Sequence, residues 1–371
     1  VCPEEKECLR LASIGTSLGL RAAFYPVRDL NFYNMTASRE FEHNRLGVLF
    51  GITGGLFDVV LTTPDAALGY TVPPSSLAEN LISVSIDGGE CGGIAGLVGQ
   101  LTAAGYIRAD APGAETLGSS GLVEGAGQFA VRGGIVDVAA PSMRIMRADG
   151  SRDGGAFALR IEFFGDEVDR MGLFDPATQR VTEQIKSAVL SPARELLAGK
   201  DELTAIAAAV KSLRRKTKDP RVAEELDGES AALDTALAAG GEVRFLDKYI
   251  SLVYDEKACL LDYFSPMSLC LVRGNAAVAD RLKAAEWHAA KEAEEMVSSG
   301  VIAGKYAEYS APASRLSQFM SRHTTVLLDS LMQGMSGTEL GGLYGFRTKH
   351  SLGSAGNDAL LREELENYVK D

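Results

Sequence analysis

Hydrophobic residues recur at helical spacing twice in the first part of the chain. The spacing predicts one helix over residues 4–18 and a second over 38–53. In the second helix, Ser38 is the predicted N-cap, and Phe41 and Leu46 fall on the predicted inward face. We therefore expect both segments to pack against a core as amphipathic helices.

A buried strand is predicted after the second helix. Residues 58–63 contain the apolar run Val59-Val60-Leu61, which is typical of a strand inside a sheet. Pro64 then opens a short helix that reaches Leu68, and a further helical pattern covers 92–105. Helices that alternate with buried strands predict an α/β fold.

The pattern becomes strand-rich after residue 105. Gly, Ser, Pro and Ala fill residues 111–121 without periodicity, which predicts a flexible insertion. The stretches that follow are separated by turns and are typical of an antiparallel sheet. They cover 128–138, 159–164 and 168–174. We expect this sheet domain to end near residues 191–192.

The last part of the chain returns to helices. Two helical patterns, over 201–213 and 221–239, lie on either side of Asp219-Pro220 and predict a helical hairpin. A strand is predicted over 325–329, and an amphipathic helix over 359–369.

Composition limits the classes of protein to which the chain can belong. It has 37 basic and 50 acidic side chains, and a net charge of −13 disfavours broad contact with nucleic-acid phosphates. No uncharged apolar run approaches the roughly 20 residues of a membrane helix. The five cysteines are scattered and form no CxxC pair, which favours reduced thiols in a cytoplasmic protein.

Both ends of the sequence are expected to lie inside a longer protein. Val1 is not an initiator methionine, and the residues after it lack the order of a signal peptide. The amphipathic pattern near the C-terminus is cut off at Asp371.

The motifs of common enzyme classes are missing from the sequence. A P-loop requires GxxxxGK followed by Ser or Thr, but Gly199-Lys200 is followed by Asp201 and Gly304-Lys305 by Tyr306. The four histidines lie far apart, and no GxSxG marks a nucleophile elbow. We therefore predict no catalytic residue, no metal site and no cofactor within this chain.

The strand predicted over 159–164 has two chemically different faces. Its odd-numbered residues are apolar and form the core face, whereas Arg160, Glu162 and Phe164 share the other. A cation, an anion and an aromatic ring together are typical of protein-binding hot spots. Pattern alone also allows a simpler interpretation, in which Arg160 and Glu162 make surface contacts and Phe164 tucks into the following turn.

The stretch over 128–138 also carries an arginine that is out of phase with its apolar residues. The alternation over 128–138 places Phe129, Val131 and Ile135 on one face. It places Arg132 on the other face, between small neighbours. The small neighbours predict an arginine that is open to a partner.

Three long motifs carry a resemblance to a known family. They are GQFAVRGGIVDV at 127–138, RIEFFGDEVD at 160–169 and FDPATQR at 174–180. Shorter motifs, at 25–29 and 60–68, lie upstream. In residues, order and spacing these motifs resemble the bacterial transcription-repair coupling factor (Mfd) family. The resemblance is strongest over about residues 24–195.

The resemblance implies a fold. It implies an α/β architecture in which a degenerate helicase-like (UvrB-like) parallel-sheet domain is split around a small inserted antiparallel α+β domain. Residues 1–104 would form the first half, 105–193 the inserted UvrA-binding domain, and 194–325 the second half with the helical hairpin. Residues 326–371 would be a linker and the start of another domain.

The resemblance also implies a role in recruiting UvrA. Carried over by motif position, the UvrA contacts fall on Arg132, Arg160 and Phe164, with Glu162 as a neighbour. The complete family member is an ATP-dependent DNA translocase that displaces stalled RNA polymerase and initiates transcription-coupled nucleotide excision repair. RNA polymerase, double-stranded DNA, ATP and Mg²⁺ are expected to bind outside this chain, which is expected to be non-enzymatic and to have no membrane partner.

UvrB shares these motifs, so a UvrB-type, ATP-dependent subunit that verifies DNA damage is the alternative. Residues 25–45 leave no room for the Tyr-rich hairpin with which UvrB clamps DNA, and residues 269–275 carry no carboxylate for magnesium. A third hypothesis is a scaffold that has lost its UvrA face. ATP turnover or tight DNA binding would favour the UvrB-type subunit, whereas a folded protein without a partner would favour the scaffold.

Overall fold

The structure is a computed structural model, and it describes residues 1–28, 30, 32, 39–86, 88, 91–109, 121–239 and 242–328. The predicted N-cap Ser38, residues 111–120 of the predicted insertion, and the predicted helix at 359–369 lie outside the described residues. Within the described part, no helix is long and apolar enough to cross a membrane. All five cysteines are buried free thiols.

The α-helices occur before and after a strand-rich middle. In the described residues they are α1 (Glu5–Ser17), α2 (Glu40–Thr53), α3 (Pro64–Leu68), α4 (Pro74–Glu79), α5 (Gly93–Ala103), α6 (Lys200–Lys216), α7 (Pro220–Ala239), α8 (Ile250–Val253), α9 (Asn275–Ser299) and α10 (Ser314–Arg322). The predicted helical hairpin is confirmed in α6 and α7. Pro220 opens α7, and Asp219 Oδ1 accepts a hydrogen bond from the Arg221 amide at 2.8 Å, so proline and a side-chain cap together start this helix.

The strands are named in the same way. They are β1 (Ala22–Tyr25), β2 (Val59–Thr62), β3 (Tyr70–Thr71), β4 (Ile82–Ser85), β5 (Ile107–Arg108), β6 (Gln128–Arg132), β7 (Ile135–Ala139), β8 (Met143–Arg147), β9 (Arg152–Gly155), β10 (Ala158–Phe164), β11 (Glu167–Asp175), β12 (Arg180–Leu190), β13 (Ala258–Cys259), β14 (Cys270–Arg273) and β15 (Thr325–Leu328). The strands predicted at 58–63 and at 325–329 are confirmed in β2 and in β15, apart from residue 329, which lies outside the described part.

The α/β part of the fold contains two pairs of parallel strands, β1 with β2 and β14 with β15. Backbone hydrogen bonds of the first two residues connect the pairs. Val1 N donates to Leu271 O at 2.6 Å, Val1 O accepts from Arg273 N at 2.9 Å, and Cys2 N donates to Thr62 O at 2.9 Å. Residues 1–2 therefore lie between β2 and β14.

The middle of the chain forms one large sheet. The sheet has nine described strands. Eight of them follow the order β5-β6-β7-β10-β11-β12-β8-β9, and the ninth, β4, pairs with β12. Neighbours are antiparallel except β5 and β6, which are parallel. Apolar residues from one face of this sheet and from α5 share a core, which includes Leu97, Phe129 and Ile161. The mixed α/β class predicted from sequence is confirmed.

Two details of the predicted pattern are wrong. The stretch 128–138 is not one strand but a hairpin, because Gly133 has a φ of +60° and the chain turns at Gly133-Gly134. Arg132 consequently pairs with Ile135, so these residues share a face instead of lying on opposite ones. Phe41 is also 53% exposed rather than inward, since it lies in the first turn of α2.

A buried carboxylate connects the sheet to the helical part. Glu195 lies after β12, and its oxygens accept hydrogen bonds from Arg45 Nε at 3.0 and 3.2 Å and lie 3.1 Å from Arg28 Nη1. Burial acts to raise the pKa of Glu195, but the two arginines outweigh it and hold that pKa below its ordinary value. The charged carboxylate therefore links α2 and the segment after β1 to the end of the sheet.

A partly buried histidine at the same junction predicts a loss of stability in acid. His43 lies beside Gly127, its Nε2 is buried without a hydrogen-bond partner, and burial lowers its pKa to about 4. An unfolded histidine titrates near ~6.5, so the unfolded state binds one more proton as the pH falls from there to about 4. The folded state should lose up to about 3 kcal/mol of stability over this range.

Urea unfolding of wild type and His43→Phe at a series of pH values measures this effect. The phenylalanine variant keeps a ring of similar size but cannot bind the proton. Its unfolding free energy should fall less steeply between pH ~6.5 and ~4 than that of the wild type. Equal slopes for the two proteins would contradict the assignment to His43.

Candidate functional site

One face of β6, β7, β10 and β11 carries every residue that the sequence singles out. The strand register places side chains in two rows across this face. The first row is Arg132, Ile135, Glu162 and Arg170, and the second is Ala130, Asp137, Arg160 and Gly172. We call these residues, together with Phe164, the docking face. The reverse side of the same strands belongs to the core, so the two faces separate as the alternation predicts.

Asp137 lies at the centre of the docking face and binds both arginines. Its carboxylate is buried, and Arg160 Nε and Nη2 donate to Oδ1 and Oδ2 at 2.7 and 2.9 Å. Arg132 Nη2 also donates to Oδ2. One buried anion therefore fixes two cations that are 28 residues apart in sequence.

Arg160 is largely covered by its neighbours, and its side chain is only 15% exposed. Besides Asp137, it donates from Nη1 to the backbone oxygen of Gln179 at 3.1 Å, and its guanidinium lies 4.9 Å from the ring centroid of Phe174. The hydrogen bonds to Asp137 raise the pKa of Arg160 above its ordinary value. Arg132 is different, since its side chain is 41% exposed and the structure shows one ion pair for it.

Phe164 is the aromatic residue of the docking face, and its side chain is 84% exposed. It ends β10, immediately before a two-residue turn in which Gly165 has a φ of +64°. The amide of Phe163 donates to Gly134 O at 2.8 Å, so the β10–β11 turn and the β6–β7 turn lie at the same end of the sheet. The simpler interpretation, in which Phe164 tucks into the turn, is therefore wrong.

Sequence reasoning missed Asp137 and Gln179. Asp137 stands between two valines in a strand, where aspartate is depleted, and that position could have indicated it. Gln179 lies in the turn before β12, and no comparable sequence pattern indicates that it contacts Arg160. Among the described residues, no group of three His, Cys, Asp or Glu side chains is arranged to hold a metal ion.

Removing the charge of Asp137 should weaken both the sheet and the docking face. Asp137→Asn keeps the shape but leaves two arginines without their carboxylate, and we expect it to lower the free energy of unfolding by about 2 kcal/mol. Urea denaturation measures the change. Asp153→Asn, which removes a half-exposed partner of Arg147, is the matched control and should cost less than about 1 kcal/mol. Equal losses for the two variants would contradict a central role for Asp137.

Comparison with known proteins identifies the domain that carries the docking face. Residues 84–196 match the family model described as the UvrB interaction domain. This segment contains β6, β7, β10, β11 and β12, and therefore all four residues that the motifs singled out.

The chain is also similar to curated bacterial proteins. It is 28% identical over 256 residues to the transcription-repair-coupling factor of Bacillus subtilis (strain 168), covering 67% of this chain and 19% of that protein. It is 30% identical over 139 residues to the transcription-repair-coupling factor of Myxococcus xanthus, covering 37% and 11%. It is 38% identical over 77 residues to the UvrABC system protein B of Chlorobium phaeobacteroides (strain BS1), covering 21% and 9%.

The chain spans about a fifth or less of the length of these relatives. The resemblance inferred from the three long motifs is confirmed: residues 84–196 match the UvrB interaction domain, and the chain is similar to the transcription-repair-coupling factors.

Proposed function

We propose that this chain is the UvrA-recruiting module of a transcription-repair coupling factor. The observation that carries the proposal is Phe164, an 84% exposed aromatic side chain on the same sheet face as an arginine–aspartate cluster, in the segment that matches the UvrB interaction domain. A large exposed aromatic ring next to an arginine is the composition of a binding hot spot. Single exposed apolar residues are common, but this one shares a sheet face with charges that Asp137 already holds in place.

The docking face would bind UvrA by two complementary contacts. Burial of the Phe164 ring would remove apolar area from water, and the exposed part of Arg132 would donate charge-assisted hydrogen bonds to a carboxylate or carbonyl of the partner. Asp137 and Arg160 would act beneath them by fixing the position of Arg132. Glu162 neighbours both Arg160 and Phe164 along β10 and would face the rim of the contact.

The rest of the proposal concerns the longer protein. The chain would belong to an ATP-dependent DNA translocase that displaces stalled RNA polymerase and starts transcription-coupled repair in the cytoplasm. The parallel pairs β1–β2 and β14–β15 would represent a degenerate helicase-like sheet around the UvrA-binding domain. ATP, Mg²⁺, double-stranded DNA and RNA polymerase would bind other parts of that protein.

A UvrB-type damage-verification subunit is the second candidate, and the 38% identity to UvrABC system protein B over 77 residues favours it. The two candidates differ in activity. A UvrB-type subunit would turn over ATP or bind damaged DNA tightly, whereas a recruiting module would do neither on its own.

Co-purification of the purified chain with UvrA tests the proposal. We expect the two proteins to elute together in size-exclusion chromatography at micromolar concentration, and the chain alone to show no ATP hydrolysis. Separate elution of a correctly folded chain would contradict the recruiting role. ATP turnover with retention of damaged DNA would favour the UvrB-type subunit instead.

A further inference from the structure

The turn between β11 and β12 is built around Arg160. This turn contains the third long motif, residues 174–180, to which the proposed contacts assign no role. Just before the turn, at the end of β11, the buried ring of Phe174 lies against the guanidinium of Arg160. At the far end of the turn, Gln179 accepts hydrogen bonds from Arg160 twice, through its backbone oxygen at 3.1 Å and through Oε1 at 3.4 Å. Residues on both sides of the turn therefore contact the same cation.

Hydrogen bonds inside the turn fix its shape. Asp175 Oδ1 accepts from the Ala177 amide at 2.9 Å, and Oδ2 accepts from the Thr178 hydroxyl at 2.9 Å. The backbone amide of Gln179 donates to Asp175 O at 2.7 Å, and its side-chain Nε2 donates to Pro176 O at 2.8 Å. The turn is consequently ordered by its own side chains before any partner binds.

Gln179 adopts a backbone conformation that glutamine disfavours. Its φ is +59°, and in the described part of the chain it is the non-glycine residue with a positive φ. Glycine or asparagine is the usual residue in this left-handed region. Residues held in unfavourable conformations cluster at functional sites, and the side chain of Gln179 contacts Arg160.

We infer that Gln179 is a positioning residue of the docking face, an inference that rests on the proposed binding of UvrA. Gln179 and Asp137 hold Arg160 from two sides. Arg160 in turn keeps the Asp137 carboxylate aligned with Arg132, which reaches the surface. Loss of the Gln179 side-chain amide would remove the Oε1 contact to Arg160 Nη2, the same nitrogen that donates to Asp137, and would loosen the position of Arg132 through Asp137.

Two variants of Gln179 separate a positioning role from a structural one. Gln179→Gly relieves the unfavourable φ and keeps the backbone acceptor, but it removes Oε1, the side-chain acceptor for Arg160. We expect a Tm equal to or above that of the wild type and an affinity for UvrA about tenfold lower. Gln179→Glu keeps an acceptor of the same length, and its affinity should stay within about twofold of the wild type. Calorimetric titration with UvrA and thermal unfolding measure both quantities.

Phe164→Ala in the same titration distinguishes the two proposals. If wild type and Gln179→Gly bind equally while Phe164→Ala does not bind, the positioning role is overturned and UvrA recruitment stands. If Gln179→Gly loses affinity together with several degrees of Tm, the residue has only a structural role and the inference is also overturned. If the folded wild type itself fails to bind UvrA, the proposed function fails and the inference fails with it.

Discussion

Phe164→Ala should lower the affinity of the chain for UvrA by at least ~30-fold. Truncation of a hot-spot aromatic residue typically costs about 2 kcal/mol or more, which corresponds to that ratio of dissociation constants. Because the ring is 84% exposed in the free chain, its removal should leave the Tm and the circular dichroism spectrum unchanged. Adding Arg132→Ala should reduce the affinity further. Calorimetric titration of UvrA into each variant measures the effect.

Phe41→Ala is the matched control for this experiment. Phe41 is the same type of residue, is 53% exposed and lies on α2, outside the docking face. We expect its substitution to leave the dissociation constant within about twofold of the wild type, as for a residue outside an interface. Equal losses of affinity for the two alanine variants would show that Phe164 has no special role.

Glu195→Ala should destabilise the fold by about 3–5 kcal/mol, because it leaves Arg28 and Arg45 buried without their shared carboxylate. The hydroxyl of Thr71 would lose its acceptor as well. A loss of this size is a large fraction of the 5–15 kcal/mol by which domains are typically stable. Urea denaturation followed by circular dichroism measures the change in unfolding free energy.

A surface ion pair supplies the control for Glu195. Asp227 pairs with Arg214 at 2.7 Å on the helical hairpin, and both side chains are exposed. Asp227→Ala should cost less than about 1 kcal/mol. If Glu195→Ala cost no more than Asp227→Ala, the buried pairs would not be the main connection between the sheet and the helical part.

Strict alternation makes the two faces of β10 predictable from sequence. In a strand, neighbouring side chains point to opposite sides, so the apolar residues of 159–164 separate from Arg160, Glu162 and Phe164 without further information. The same reasoning failed over 128–138, because two consecutive glycines reversed the chain inside an alternating stretch. Ile135 then joined Arg132 on one face, since a hairpin resets which residues share a side.

The partners of these side chains are harder to predict, because they come from other strands. Asp137 meets Arg160 only through the pairing of β7 with β10, and Gln179 meets it through the turn before β12. Glu195 and Arg45 are likewise 150 residues apart in sequence. Local patterns carry no information on such contacts, so the sequence places Arg160 on the face away from the core, whereas the structure shows it largely covered.

Hydrogen–deuterium exchange of the chain with and without UvrA tests the proposed docking face most directly. We expect UvrA to slow exchange in the two turns at one end of the sheet, at residues 132–135 and 163–167, and to leave α9 and the β14–β15 pair unchanged. Stable binding of UvrA with no protection in these turns, or with protection confined to α9 and the β14–β15 pair, would contradict the docking face.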